Sequence, residues 1–297
     1  MKIKIIENRK KYFTLSTVLV VLALASLVFK GINYGLDFTG GNLIQVKFEK
    51  TMDLKELNPI LDEIALEIPQ LDNNGRKVQI SDGNVVIVRT PEMTEEVKNN
   101  FMKELEEKSG KYDLLRSDKV GASIGQELKS TAIMALLVGL VLIVGYITIR
   151  FEFKFALAAV LALFHDVIIA VGGIALLGYE VNTPFIAAVL TILGYSINDT
   201  IVVFDRIREV LKKKKVGSLA EAINLSVSQT FTRSINTSFT TFLAVFAILI
   251  FGGASLKVFI TTLLIGVLIG TYSSIFLASP VIYLLDKDDK LSEIGHN

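Results

Sequence analysis

The sequence contains no cysteine and only two histidines among its 297 residues. Without cysteine the chain cannot form disulfides or thiolate-ligated metal sites, and two scattered histidines do not make a structural zinc site. The formal net charge of +1 favours no class of partner. We therefore predict no metal site. The further predictions, no cofactor, no nucleic-acid partner and no catalytic residues in a protein that is not an enzyme, depend on the motifs described below and not on composition.

Long hydrophobic runs are the main feature that is present. The chain is 51% hydrophobic, its mean hydropathy is +0.52, and its apolar residues fall in blocks of the length that crosses a bilayer, about 20 residues. The blocks are Phe13 to Phe29, Thr131 to Ile149, Phe155 to Leu177, Pro184 to Phe204, a shorter one from Ser234 to Phe251, and Leu256 to Leu285. We predict a polytopic α-helical membrane protein with six transmembrane helices.

Basic residues mark one side of the predicted membrane. They concentrate before the first span, around Arg150 and Lys154, between the fourth and fifth spans, and after the sixth. The positive-inside rule places these regions and both termini in the cytoplasm. The predicted regions are a cytoplasmic N-terminus with helix 1 (1–30), an extracytoplasmic domain (31–129), and helices 2–6 (130–297) with a cytoplasmic loop (206–233).

The N-terminus also has features of a cleavable signal peptide. Basic residues and an apolar stretch precede Ala23 to Ala25, a small-residue pattern before Ser26. The apolar run continues past that point to Phe29, which favours an uncleaved anchor. An intact-mass measurement starting at Ser26 would reverse this prediction.

The segment between the first two spans alternates strand-like and helix-like patterns. Ile44 to Phe48 has the period of a half-buried strand, and Asn58 with Pro59 has the residue types of a helix start. Two further strands, Lys77 to Ser81 and Asn84 to Thr90, flank the turn residues Asp82 and Gly83. Pro91 is predicted to open a helix that ends at Gly110, followed by a closing strand from Tyr112 to Val120. The order βαββαβ predicts an α+β ferredoxin-like domain.

A glycine-rich stretch, GLDFTGG, precedes this domain, with Gly35, Asp37, Gly40 and Gly41 as its marked residues. It lacks the strand-to-helix context of a nucleotide-binding loop. One interpretation is a tight re-entry of the chain from membrane into sheet, and the other is a hinge or docking element, because glycine permits close backbone approach. The first is favoured.

Asp199 is a carboxylate inside the fourth apolar run. A central Asp costs about 2.5–3.5 kcal/mol on insertion scales, so a partner, water or a proton must offset that cost. Arg233, near the start of the fifth run, is the predicted partner. The polar residues around the two recur at helical spacing: Thr191, Tyr195 and Asn198 or Asp199 on one span, and Thr230, Arg233 or Ser234, Thr237, and Thr240 or Thr241 on the next.

Two interpretations of the Asp199 and Arg233 pair follow. It is either a static salt bridge that joins helices or a proton relay supported by Tyr195, Asn198, Thr237 and Thr240, and the hydroxyl-rich surroundings favour the relay. His165 and Asp166 in the third span form a second polar site, where a hydrogen bond between helices explains the residues as well as proton transfer does.

Other features of the membrane region have structural explanations. Gly266, Gly270 and Ser274 form a small-residue face that favours helix packing. The basic run Lys212 to Lys215 sets topology and can also touch anionic lipid headgroups. The capping-box residues Ser218 and Glu221 predict a surface helix through Phe231.

Four motifs together resemble the SecF members of the SecD/SecF family, in the resistance-nodulation-division superfamily. They are GLDFTGG, VGASIGQEL from Val120 to Leu128, GYSINDTIVVFDRIRE from Gly194 to Glu209, and TRSINTS from Thr232 to Ser238. Asp199 and Arg233 match the family's intramembrane proton-site positions. The resemblance covers nearly the whole chain.

The resemblance implies one six-helix half of a twelve-helix unit in the bacterial cytoplasmic membrane, with SecD as the other half. It further implies association with the SecYEG channel and use of the proton motive force to draw an unfolded exported polypeptide outward. Two alternatives remain at this point: half of a proton-driven small-molecule exporter, and a passive scaffold of the translocation channel.

Overall fold

The computed structural model describes residues 3–72, 75–81, 84–213, 216–253 and 256–286. The predicted turn at Asp82 and Gly83, the lysines at 214 and 215, and the basic residues after 286 lie outside these ranges. Internal contacts divide the chain into two units: a membrane unit, Met1–Asn33 with Met134–Asn297, and a second unit, Tyr34–Ile133, called here the αβ unit.

Six helices within the described residues are long and apolar enough to cross a membrane. They are α1 (Arg9–Phe29), α5 (Ala122–Arg150), α6 (Phe153–Leu177), α7 (Thr183–Lys212), α8 (Leu219–Phe251), and a composite of α9 (Lys257–Ser273), a π-helical turn (Ser274–Ala278) and α10 (Ser279–Leu285). The prediction of a polytopic helical membrane protein is therefore confirmed. A short strand, β6 (Glu180–Val181), lies between α6 and α7.

The elements of the αβ unit follow the order strand, helix, strand, strand, helix, strand after a short entry segment. The entry consists of β1 (Asn33–Tyr34) and α2 (Leu36–Thr39). Then come β2 (Gly41–Phe48), α3 (Leu54–Ala65), a 3₁₀ turn (Pro69–Leu71), β3 (Lys77–Ser81), β4 (Val85–Thr90), α4 (Glu95–Ser109) and β5 (Tyr112–Val120). The sheet order is β3-β4-β2-β5, and every neighbouring pair is antiparallel.

The core of the αβ unit lies between one face of this sheet and the two helices α3 and α4. Alternate β2 residues, Ile44, Val46 and Phe48, are buried there. They meet Leu61 of α3 and Phe101 of α4, both fully buried. The alternating pattern in the sequence thus identifies the face of β2 that is buried in the core.

Both predicted helix starts in the αβ unit are wrong. α3 begins at Leu54, where the Asp53 side chain accepts a hydrogen bond from Lys55 N, and Pro59 lies inside the helix. α4 begins after Thr94, whose hydroxyl accepts from Val97 N, and not at Pro91. In each case a side chain outside the predicted start, Asp53 or Thr94, accepts a hydrogen bond from a free N–H group in the first turn and caps the helix.

α8 is one continuous helix. The structure corrects the prediction of a separate surface helix ending at Phe231 before the fifth span. The Ser218 hydroxyl does cap its N-terminus, accepting from Glu221 N at 3.3 Å. The apolar span is the second part of a helix whose first part is polar, because the length of an apolar run marks membrane thickness and not helix ends.

Glycines allow the helices of the membrane unit to pack closely. A Cβ atom at Gly266 of α9 would overlap the Ile192 side chain of α7, and one at Gly172 of α6 would overlap Ala23 of α1. At Gly270 the added atom would lie 3.0 Å from Ser196 Cβ. The small-residue face predicted from Gly266 and Gly270 is therefore a packing face between α9 and α7.

Candidate functional site

Asp199 lies in the middle of α7. Its helix starts at Thr183, capped by the Asn182 side chain, and continues to Lys212. At about 1.5 Å per residue, Asp199 is roughly 24 Å from the first residue of the helix. The residue is only 4% exposed, so the fold buries this carboxylate within the span.

Hydroxyl groups from two other helices surround Asp199. Ser238 Oγ of α8 donates to Asp199 Oδ2 at 3.3 Å, and Thr271 Oγ1 of α9 lies 2.6 Å from Ser238 Oγ. The Tyr195 hydroxyl, one turn earlier on α7, lies 3.4 Å from Ser238 Oγ. We call Tyr195, Asp199, Ser238 and Thr271 the Asp199 cluster. Its hydroxyl groups form a hydrogen-bonded chain that joins α7, α8 and α9.

Arg233 makes no ion-pair contact with Asp199 among the described residues, although the two groups are near enough for the charge of Arg233 to act on the carboxyl group. The residues that α8 turns inward are Ser234 and Ser238, four positions apart, whereas Arg233 lies on an exposed face. Neighbouring helix positions differ by about 100° in direction, so the inward position of Ser234 turns Arg233 away.

The other predicted supporting residues are also exposed, apart from the half-buried Tyr195. Asn198, Thr237 and Thr240 are all on exposed faces of α7 or α8. The hydroxyl of Thr237 donates to the Arg233 carbonyl of its own helix at 2.9 Å. Of the four predicted supporting residues, Tyr195 joins the Asp199 cluster through Ser238, and its hydroxyl also lies 3.4 Å from Thr241 Oγ1, a further residue of the predicted polar stripe.

Asp166 of α6 is the centre of a second buried cluster. Its side chain is completely buried and accepts hydrogen bonds on both carboxylate oxygens. Ser196 Oγ of α7 donates at 2.6 Å and Ser273 Oγ of α9 at 2.7 Å, both to Oδ2, while His165 Nδ1 lies 2.9 Å from Oδ1. We call these four residues the Asp166 cluster.

The two clusters share the helices α7 and α9. Ser196 and Asp199 are three residues apart on α7, about one turn. On α9, Thr271 belongs to the Asp199 cluster and Ser273 to the Asp166 cluster. A π-helical turn begins at the next residue, Ser274, and such turns occur often at functional sites.

Sequence reasoning missed four of the serine and threonine residues in these clusters: Ser196, Ser238, Thr271 and Ser273. A signal was available, because each is a small polar residue within an apolar run. What the sequence lacked was the identity of the facing helix, since Ser273 meets a carboxylate 107 positions earlier in the chain.

The GLDFTGG stretch forms a close-packed junction within the αβ unit. Gly40 and Gly41 have φ angles of +67° and +112°. A Cβ at Gly41 would overlap the Thr90 carbonyl, and one at Gly40 would lie 2.9 Å from Ala122 Cα. Gly35 caps the short helix α2, which has Asp37 in its first turn. Both predicted interpretations of this motif remain predictions.

The described ranges contain no group of three His, Asp or Glu side chains placed to hold a metal ion. The chemistry that the two clusters offer is hydrogen bonding and proton exchange at two carboxylates, one histidine and several hydroxyl groups.

The fold and the two clusters define the class of protein: a multi-pass helical membrane protein with buried ionisable groups in the middle of its helix bundle. Residues 100–288 match the family model described as protein export membrane protein SecD/SecF, C-terminal, and residues 25–52 match the SecD/SecF GG motif. The chain belongs to the SecD/SecF family of protein export membrane proteins.

Similar proteins carry related names. The protein translocase subunit SecF of Sebaldella termitidis is 49% identical, over 98% of this chain and 94% of that protein. The protein translocase subunit SecDF of Thermus thermophilus is 39% identical, over 92% of this chain and 37% of that protein.

A solved structure resembles the fold. The crystal structure of SecDF from Thermus thermophilus, titled a translocon-associated membrane protein, matches with a TM-score of 0.85 and 35% identity. The match covers 96% of this chain and 39% of that one. A SecDF structure titled as a super-membrane-facing form matches with a TM-score of 0.70.

Proposed function

We propose that the chain is a SecF-type subunit of a bacterial protein-translocation machinery that uses proton movement through its helix bundle to promote export of polypeptides. The observation that carries the proposal is the burial of Asp199 at mid-helix among hydroxyl groups, in a chain of the SecD/SecF family. A buried acid with a hydrogen-bonded path across three helices fits a proton carrier better than a scaffold.

The partner of this half-unit is a SecD-type chain. Support comes from the SecDF relative, in which the segment that matches this chain occupies 37% of the length. That relative therefore contains, in one polypeptide, a segment similar to this chain and a longer additional segment. The exposed faces of α7 and α8 around Asn198 and Thr237 are available for such a partner. The assembly acts in the cytoplasmic membrane beside a SecYEG-type channel, with both termini cytoplasmic and anionic lipid near the basic loop.

The αβ unit corresponds to the proposed extracytoplasmic domain, residues 31–129. Its element order and its antiparallel sheet order, β3-β4-β2-β5, support a ferredoxin-like arrangement. In the proposed cycle this domain holds the unfolded exported polypeptide, and the GLDFTGG junction with Gly35, Asp37, Gly40 and Gly41 docks it to the first turn of α5.

Arg233 has a role in a second arrangement of the bundle. Asp199 accepts a hydrogen bond from Ser238 here, whereas an ionised Asp199 attracts the guanidinium, which lies on the same helix as Ser238. A modest rotation of α8 about its axis exchanges one for the other. Protonation of Asp199 favours the Ser238 arrangement, because a neutral carboxyl no longer attracts Arg233.

Export into inverted vesicles that contain the channel and the SecD-type partner tests the proposal. The Asp199→Asn variant should assemble normally but lose the stimulation of export by a proton gradient, because an amide cannot take up the proton. Asp205→Asn is the matched control: it removes an exposed carboxylate of the same helix, paired at the surface with Arg150 at 3.4 Å, and should keep the stimulation.

Full stimulation in Asp199→Asn refutes the relay. An unchanged contribution of the native protein after treatment with an ionophore indicates the scaffold instead. Altered accumulation of small molecules in a deletion strain, with export intact, indicates the exporter.

A further inference from the structure

Asp166 is held by more donors than Asp199. Ser196 Oγ and Ser273 Oγ, from two neighbouring helices, donate to its Oδ2, His165 Nδ1 of its own helix lies 2.9 Å from Oδ1, and the exposure of Asp166 is zero. Hydrogen bonds to a carboxylate favour its charged form, and the contacts with Ser196, Ser273 and His165 fix the Asp166 carboxyl group in place.

The neighbouring cation for this charge is His165. No lysine or arginine forms an ion pair with Asp166 in the described part of the chain, where the one ion-pair contact of Asp166 is with His165 Nδ1. A buried charge without a counter-charge is strongly unfavourable. The imidazole next to Asp166 is thus the group that can neutralise it, by taking up a second proton.

The free position on His165 is Nε2. The residue is 6% exposed, and Nε2 is buried with no hydrogen-bond partner among the described residues, while Nδ1 faces Asp166. A hydrogen bond from Nδ1–H to the carboxylate fixes the tautomer and leaves the Nε2 lone pair available. Two independent observations therefore meet in one site: a carboxyl group held by two serine donors, and an imidazole nitrogen without a partner among the described residues.

We propose that His165 Nε2 is a second proton-binding position in the membrane unit, with Asp166 as its positioning residue. A proton from the aqueous phase forms a bond with the Nε2 lone pair. No bond within the pair breaks, and the net charge of the pair changes from −1 to 0. The proposal rests on the proposed function for its use in transport, but the binding of the proton stands on this geometry alone.

The groups that face His165 and Asp166 from the packed helices are mostly neutral. α9 contributes Ser273 and the Tyr272 ring, whose centroid is 6.4 Å from that of His165. The Tyr272 hydroxyl donates to the Tyr12 carbonyl of α1 at 2.8 Å and lies 3.3 Å from Ser16 Oγ. α7 contributes Ser196, and near it Thr200 Oγ1 lies 2.8 Å from Ser274 Oγ of the π-helical turn. Among these described neighbours of Asp166, His165 is therefore the group that can carry a positive charge.

α9 links the second position to the first. Ser273 donates to Asp166, and Thr271, two residues earlier, donates to Ser238 in the Asp199 cluster. A shift of α9 therefore alters the hydrogen bonds of both carboxylates. Loss of the Nε2 proton leaves a net negative charge on the pair. This charge strengthens the hydrogen bonds from Ser196 and Ser273 to Asp166, which disfavours movement of α9.

Nitrogen NMR of the imidazole tests the proposal directly. The chain has two histidines, His165 and His296, so a His296→Asn background leaves a single signal from ¹⁵N-labelled histidine. In the full chain in detergent micelles, Nδ1 should remain protonated and Nε2 should gain a proton as the pH is lowered from about 9 to about 5. In Asp166→Asn the protonated fraction at neutral pH should fall.

An Nε2 that stays unprotonated across this window, or an imidazole whose protonation ignores Asp166→Asn, overturns the proposal. Neither result bears on the Asp199 relay, because no export is measured.

A transport measurement complements the NMR. His165→Asn keeps an N–H donor near the position of Nδ1 but has no second nitrogen to bind a proton. In vesicles it should assemble with the partner chain and lose the stimulation by a proton gradient, whereas His296→Asn, the same change elsewhere, should keep it. Stimulation that survives in His165→Asn means that the site only joins helices, and overturns its use in transport.

Discussion

Alanine at position 266 tests how tightly the helix bundle is packed around the two clusters. A Cβ there would overlap Ile192 Cγ1 and Cδ1 and lie 2.7 Å from Cγ2. Carbon atoms in contact lie about 3.5–4.0 Å apart, so α9 and α7 must separate by roughly 1 Å or Ile192 must leave its rotamer. Overpacking of this kind costs about 1–3 kcal/mol, of which the better helix propensity of alanine offsets at most about 1 kcal/mol.

A double-mutant cycle separates this clash from general helix effects. Ile192→Ala removes all three atoms in conflict, at a cost of about 2–5 kcal/mol for the cavity that it leaves. The double variant should then be more stable than the two single costs predict, by roughly 0.5–3 kcal/mol. The assay is the free energy of unfolding of the purified protein in mixed micelles.

Gly194→Ala is the matched control, because Gly194 lies on α7 and no atom of the described residues lies within 4 Å of the added Cβ. If Gly266→Ala were as stable as Gly194→Ala, or if the two single effects were additive, the packing argument would be refuted.

Two further predictions concern the αβ unit. Burial, and to a smaller extent the charge of the nearby Glu106, raises the pKa of Tyr112. This shift stabilises the folded state fully at pH values below the ordinary tyrosine pKa of about 10, and the stabilisation is lost as the pH rises through the higher folded pKa. In an ultraviolet titration, the component missing from Tyr112→Phe should therefore ionise above that value, and a component at the ordinary value would contradict the assignment. Gly41→Ala should increase hydrogen exchange in β2 and β4, because its Cβ overlaps the Thr90 carbonyl and its φ of +112° strains any residue with a side chain. Gly145→Ala, which has open space around the added atom, should not change exchange there.

Hydrophobic runs predicted the spans well because they report the thickness of the bilayer. They predicted helix ends poorly. The helix α8, Leu219–Phe251, contains no proline or glycine. No residue therefore ends it at the boundary between its polar first part and its apolar second part. In the αβ unit, proline attracted two predicted helix starts, although the side chains of Asp53 and Thr94 provide the caps.

The sequence singled out Asp199 but not Ser238, the side chain that contacts it. Helical spacing left Arg233 and Ser234 as equal choices, and the structure turns Ser234 inward. The choice depends on packing against α7 and α9, which no local pattern encodes. His165 and Asp166 were visible as polar residues, but their significance depends on serines 30 and 107 positions away.

The energy of a single proton limits what the Asp199 cluster can do alone. One charge that crosses about 100 mV supplies ~2.3 kcal/mol, a bias of roughly 50-fold, whereas a change from 1:99 to 99:1 requires ~5.5 kcal/mol. Two protons would supply about 4.6 kcal/mol, close to that requirement. The bias of the conformational equilibrium from two protons changes tenfold when the membrane potential changes by about 30 mV, whereas the bias from one proton needs a change of about 60 mV. Because α9 carries donors to both Asp166 and Asp199, the two charges can act on one movement, and the steepness of export against potential distinguishes this coupling from two independent sites.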